Sequence, residues 1–245
     1  MIIDKQKCRA CKACHPYCPL GAISLVPWDK GKKSEVSQAD CVECGACLRS
    51  GVCPVDAILM AELEWPRSIR PRFSSPHGTP LPGVKGAPPP PDPKLNEVHG
   101  RISKDSTAVV VEVGRPGVST TLADVEKVCM ALAAAGVTFD PGSGVTGLMV
   151  DASTGKLQPD VLDERVMHVM IHYTCPNDHL PAGLRALREV SGRVNTVFSI
   201  GFSNLLDADG IGPAIAVCEA AGFVVKPHGK TNVGMASDRR NEVRS

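Results

Sequence analysis

From residue 105 onward the apolar positions change rhythm in a regular way. The run 108–113 is apolar at almost every place and rich in valine, as a buried strand is. Leu122, Val125, Val128, Cys129 and Leu132 then recur at helical spacing. Thr121-x-x-Asp124 is a capping-box-like start for that helix and Gly136 a stop. Segments 145–150 and 166–173 read as strands. Leu180, Leu184, Leu187 and Val190 form a second helical stripe that ends at Gly192. A strand is predicted over 196–202, a third helix over 211–221 with Gly222 at its end, and a last strand over 223–226. The order βαββαβαβ predicts an α+β domain over 105–245, with helices on one face of an antiparallel sheet. A thioredoxin-like or other α/β arrangement is the alternative. Upstream, Ile2, Ile3, Ile23, Leu25, Ile58 and Leu59 supply short strands and a thin apolar shell for a smaller segment, 1–62.

Between these two regions the periodicity stops. Ten prolines fall in 66–93, from Pro66 and Pro71 to the run Pro88–Pro91 and Pro93. Proline lacks an N–H and fixes φ, so this stretch predicts no helix or central strand. Residues 63–104 therefore read as an extended Pro-rich linker, partly polyproline II around 88–91, or as a strap lying across another domain.

Composition adds limits. Hydrophobic residues make up 43% of the 245 and aromatics 4%, so the core is aliphatic. A net charge of +1 leaves no basic surplus for nucleic acid. No apolar run approaches the ~20 residues of a membrane span. The start MIIDKQKC has no leader pattern, which predicts a cytoplasmic protein.

Eleven cysteines are the outlying count. Eight form two motifs: Cys8-x2-Cys11-x2-Cys14-x3-Cys18-Pro19 and Cys41-x2-Cys44-x2-Cys47-x5-Cys53-Pro54. Cys18-Pro19-Leu20-Gly21-Ala22-Ile23 is echoed by Cys53-Pro54-Val55-Asp56-Ala57-Ile58, an internal duplication. Three thiolates spaced by two can wrap three corners of an iron–sulfur cube from one tight loop. Zinc sites use pairs of Cys-x2-Cys instead of triplets followed by Cys-Pro.

These motifs resemble the bacterial-type two-cluster [4Fe-4S] ferredoxin domain over residues 1–60. The second motif departs by having five residues before its last cysteine, and the connection from Cys18 to Cys41 is long. The resemblance implies two [4Fe-4S] clusters with crossed ligation: Cys8, Cys11, Cys14 and Cys53 for the first, and Cys41, Cys44, Cys47 and Cys18 for the second. It also implies low-potential one-electron transfer. Tyr17 and Trp28 are candidates to shield the clusters. For the C-terminal region, the first six elements suit a ferredoxin-like α+β sandwich.

Other motifs carry less. Gly142-x-Gly144-x-x-Gly147 enters a strand instead of opening a helix, so it fails as a dinucleotide site. Gly229-Lys230-Thr231 lacks the earlier glycine of a phosphate loop. Arg115, Ser119 and Thr120, in a strand-to-helix turn, form a candidate anion site at a helix N-terminus. His172, Cys175 and His179, with His168 upstream, have ligand-like types and spacing and form a second candidate site. Cys129 and Cys218 lie on apolar stripes as core residues.

Three functions fit. The first is a non-catalytic electron-relay subunit of a larger cytoplasmic, anaerobic oxidoreductase complex, with a catalytic partner subunit. The second is a stand-alone redox enzyme with its substrate site in the C-terminal domain. The third is an Fe-S sensor that binds an effector. No flavin or nicotinamide motif is present, which favours the relay.

Overall fold

The computed structural model describes residues 1–75, 102–115 and 117–226. The polyproline segment 88–91 and Gly229-Lys230-Thr231 lie outside them. In chain order the elements are β1 (Ile2–Ile3), β2 (Ile23–Trp28), β3 (Gly31–Val36), α1 (Ala46–Arg49), β4 (Ile58–Leu59), α2 (Arg70–Ser74), β5 (Ser106–Val113) and β6 (Thr120–Thr121). They continue with α3 (Leu122–Ala134), β7 (Met149–Asp151), β8 (Lys156–Leu157), β9 (Arg165–Val166), β10 (Val169–Pro176), α4 (Leu180–Ser191), β11 (Phe198–Ser203) and α5 (Pro213–Ala220). The protein is thus mixed α+β.

Two compact units form. Within the described residues, the first joins 1–75 with 114–123 and 159–169; the second comprises 102–113, 124–158 and 170–226. In the first unit β1 pairs antiparallel with β4, Ile2 opposite Leu59, which ties the start of the cysteine segment to its end. The hairpin β2–β3, with Ile23 opposite Val36, fills the long connection between Cys18 and Cys41. The core here is small: Met1, Ile3, Ile23, Val36, Ala57 and Ile58 bury themselves among Cys8, Cys14, Cys41 and Cys47.

The proline-rich stretch holds a helix, contrary to expectation. Residues Arg67–Ile69 form a 3₁₀ turn that runs into α2. Pro71 falls in the first turn of α2, where an amide would have no intrahelical partner, so the missing N–H costs nothing. Ile69, Arg70 and Ser74 are buried. The Ser74 hydroxyl accepts the Met167 N–H at 2.9 Å and the Phe73 carbonyl accepts that of His168, so this helix lies against β9 within the first unit.

In the second unit a three-stranded sheet has the order β10-β5-β11, with β5 and β11 antiparallel and Phe198 opposite Val113. Central placement explains why Ala108, Val109, Val111 and Val113 are all fully buried. Helix α3 ends at Gly136 as the sequence predicts: the Gly136 and Val137 amides donate to Ala133 and Leu132, and Gly136 takes φ 80°. Leu180, Leu184, Leu187 and Val190 are the buried stripe of α4, each contributing roughly 1.5–3 kcal/mol by leaving water.

Three strand expectations are corrected. Residues 145–150 do not join the sheet; they form a 3₁₀ turn and then β7, which pairs with β8 in a separate hairpin around an Asp151–Ser153 side-chain turn. The strand expected over 166–173 is two elements, β9 paired with β6 and β10 in the sheet. No strand forms over 223–226, because the Phe223 amide donates back to Cys218 and the Gly222 amide to Glu219. These bonds close α5 with Gly222 at φ 79°, a Schellman ending.

Candidate metal centre

The duplication seen in the sequence is a backbone duplication. Ala10 and Glu43, two residues past the first cysteine of each motif, have φ of 57° and 56°. Lys12 and Gly45 follow the second cysteines at 62° and 69°, and Gly21 and Asp56 sit three residues past the last cysteines at 64° and 47°. Left-handed residues alternating with ordinary ones turn successive amides inward, making a concavity that favours negative charge. Several of those amides reach sulfur. The Ala22 and Ala57 N–H groups, the echoed alanines, donate to Cys18 Sγ at 3.1 Å and Cys53 Sγ at 3.2 Å. The Ala10 and Ser34 amides both donate to Cys8 Sγ at 3.4 Å.

Two small cavities lie between the cysteines. One is lined by Cys8, Cys11, Cys14 and Cys53, the other by Cys18, Cys41, Cys44 and Cys47. Each cavity thus brings three cysteines of one motif together with the last cysteine of the other. Among the described residues no group of three or more His, Cys, Asp or Glu converges closely enough to chelate a single ion. Four sulfurs held apart around a cavity, with amides aimed at them, fit a cube of iron and sulfide.

Electrostatics agree with that fit. Burial, together with Cys44, Cys41 and Cys18, pushes the Cys47 thiol up to about 11. Burial, followed by the crowding of Cys11, Cys53 and Cys8, raises Cys14. Four thiolates around one such cavity would need a cationic core to balance them. Burial also opposes the Cys8 thiolate, but the Ala10 and Ser34 amides, the Ser34 hydroxyl and the charge of Lys33 outweigh it and hold Cys8 below its ordinary value. Tyr17 is exposed yet lines the second cavity. Trp28 is exposed on β2 with Lys5 Nζ 5.7 Å from its ring.

A buried charge network that sequence reasoning missed braces the second motif. Glu43, 1% exposed, accepts from Arg67 Nε at 3.0 Å and pairs with the Met1 amino group. Arg67 also donates to the Gln38 carbonyl at 2.7 Å. Arg70 donates to the Cys41 carbonyl at 2.6 Å and the Gln38 carbonyl at 3.0 Å, and its Nε pairs with Glu164. The signal available was the spacing Arg67-x-x-Arg70, one helical turn, inside a stretch whose prolines spoke against a helix.

The other two candidate sites fare differently. Ser119 and Thr120 are buried, Arg165 donates to the Ser119 hydroxyl at 3.0 Å, and Arg115 lies 3.5 Å from the His168 ring. The amides expected to be free at the start of α3 are engaged: Leu122 donates to the Glu164 carbonyl and Ala123 to that of Leu162. His172, Cys175 and His179 do not converge. His172 and Cys175 are three apart on β10 and so point to opposite faces. His172 is 3.4 Å from the Ser143 hydroxyl, whereas His179 is exposed beyond the strand. Cys129 and Cys218 are fully buried.

A duplicated cysteine scaffold with inward-turned amides defines an iron–sulfur carrier of the ferredoxin type. The family described as 4Fe-4S dicluster domain matches residues 7–64, and the chain belongs to it through that segment. An uncharacterized ferredoxin of Methanocaldococcus jannaschii is 33% identical over 60 residues, covering 24% of this chain and 75% of the relative. No solved structure matches the chain significantly. The protein is a ferredoxin-like electron-transfer protein. Among the described residues no helix is long and apolar enough to cross a membrane.

Proposed function

We propose that the chain holds two [4Fe-4S] clusters with crossed ligation and relays single electrons to a larger catalytic partner subunit of an anaerobic cytoplasmic oxidoreductase. The carrying observation is the sorting of eight cysteines into two cavities, Cys8, Cys11, Cys14 and Cys53 in one and Cys18, Cys41, Cys44 and Cys47 in the other. Each cluster would supply one-electron redox chemistry at a potential set by burial, charge and N–H···S bonds. The chain's own part is to present thiolates, donate amides to Cys8, Cys18 and Cys53, and keep the second motif in place through Arg67 and Arg70. The relay role is supported by the absence of any flavin or nicotinamide motif in the sequence.

The test is analytical. Anaerobically purified protein should carry about eight irons and eight sulfides, four per cube. Cys18→Ser should perturb the same paramagnetic centre as Cys44→Ser, and Cys53→Ser the same one as Cys11→Ser. An iron content near four, or variants that pair within motifs instead of across them, would overturn the crossed two-cluster reading. Co-purification of a stoichiometric larger subunit from native cells is expected; turnover of a substrate by the isolated chain with dithionite alone would replace the relay with an enzyme.

A further inference from the structure

We propose that the Cys11 edge of the first cavity is the port through which electrons pass to or from another protein, and that it is shaped for an acidic one. This rests on the two-cluster reading above. Of the eleven cysteines, all within described residues, Cys11 alone is exposed. Electron transfer between proteins weakens steeply with distance, so the exposed ligand marks the edge a partner can approach most closely. The transfer is outer-sphere: one electron crosses, the donor is oxidised and the acceptor reduced by one, and no bond is made or broken.

The charged side chains in that cavity's wall have one sign. Arg9 and Lys12 flank Cys11, are exposed and line the same cavity, which has no acidic residue in its wall. Lys33 on β3 donates to the Cys8 carbonyl at 2.5 Å, which fixes another cation beside the same motif. Of the nearby acids, Asp4 accepts from the Gln6 and Lys7 amides and Glu35 pairs with Lys5 at 2.9 Å, while Asp56, between the lining residues Val55 and Ala57, is exposed. The second cavity differs in its wall, with Asp40 there and no Lys or Arg, although Arg49 donates to the Cys44 carbonyl at 2.5 Å beside it. The sequence carries the same asymmetry. Residues 1–36 hold seven Lys or Arg against three acids, and residues 37–64 one against five.

A cationic rim around the redox edge steers an anionic partner into productive orientation, raising the encounter rate by about 10- to 1,000-fold in a salt-dependent way. A nucleic acid would also answer to cations. The cavity wall has no aromatic side chain on which a base could stack, however, and an exposed redox ligand has no use in holding a polyanion.

The experiment uses the full-length holoprotein reduced with dithionite and mixed by stopped flow with three oxidants: anionic Co(EDTA)⁻, cationic hexaamminecobalt(III) and an acidic flavodoxin. Oxidation by Co(EDTA)⁻ and by flavodoxin should slow about tenfold from low to high salt, while the cationic complex should speed up. Arg9→Glu with Lys12→Glu should reverse the preference between the cobalt complexes. The neutral pair Arg9→Gln with Lys12→Gln should fall between and covers loss of folding in the first variant. Equal salt responses, or a cluster-replete variant with unchanged rates, would overturn the port. Wild-type protein without iron would overturn the cluster reading instead. Single-stranded oligonucleotide binding that vanishes in the variant while the flavodoxin rate stays unchanged would assign the rim to nucleic acid and end the acidic-protein proposal.

Discussion

Ala22 and Ala57 show how far single residues could be read. Their echo after Cys18-Pro19 and Cys53-Pro54 marks a duplication, and their amides end on the two Sγ atoms. The residue before each explains the turn: Gly21 in one copy and Asp56 in the other, both left-handed. The left-handed backbone at Ala10, Lys12 and Glu43 was not legible, since only glycine advertises that conformation. Gly21 has open space where a Cβ would stand, so Gly21→Ala should cost about 1 kcal/mol, the backbone preference alone. Gly155, at φ 72°, would place a Cβ 2.5 Å from the Cys129 carbonyl on α3, so Gly155→Ala should cost about 3 kcal/mol or more. Urea denaturation checks both; equal costs would mean that the approach of the β7–β8 turn to α3 is slack.

At the scale of elements, the helices were legible because 3.6-residue stripes and glycine stops are local, as in α3 and α4. Strand partners were not. The order β10-β5-β11 joins segments far apart in sequence, and β7 was claimed by a hairpin instead of the sheet. Helix α2 was hidden for another reason: proline density was weighed without position, and the first turn is where proline is harmless. Nothing local in the sequence pairs Arg70 with Glu164, 94 residues away. Both are buried, so Arg70→Ala leaves a carboxylate without its cation and should cost about 3–5 kcal/mol. Arg70→Lys should recover a fraction, because an ammonium cannot span Glu164, Gln38 and Cys41 as the guanidinium fork does. Urea denaturation at neutral pH, read beside iron content, measures this. A loss under about 1 kcal/mol for Arg70→Ala would put the pair among ion pairs of little structural weight.

For the whole molecule, the two units differ in what holds them together. The second has an aliphatic core of its own, with Val109, Val111, Leu132, Ile171, Leu180 and Leu187 all fully buried. The cysteine segment buries six apolar residues around sulfur, with Leu48, Val52, Val55 and Met60 half-buried against them, and burial and crowding push a thiol such as Cys47 up to about 11, against its charged form. On the two-cluster proposal, metal binding there would be folding free energy, because the clusters would bring the sulfurs together. Removing iron with a chelator under anaerobic, mildly acidic conditions should therefore abolish amide hydrogen-exchange protection across 1–60 while β5, β10 and α4 stay protected. The decisive comparison is between β2–β3 and α4 in the same sample. If both lose protection together, the two units are one cooperative structure. If β2–β3 stays protected without iron, the small apolar shell is sufficient by itself and the cysteines are not what organises the segment.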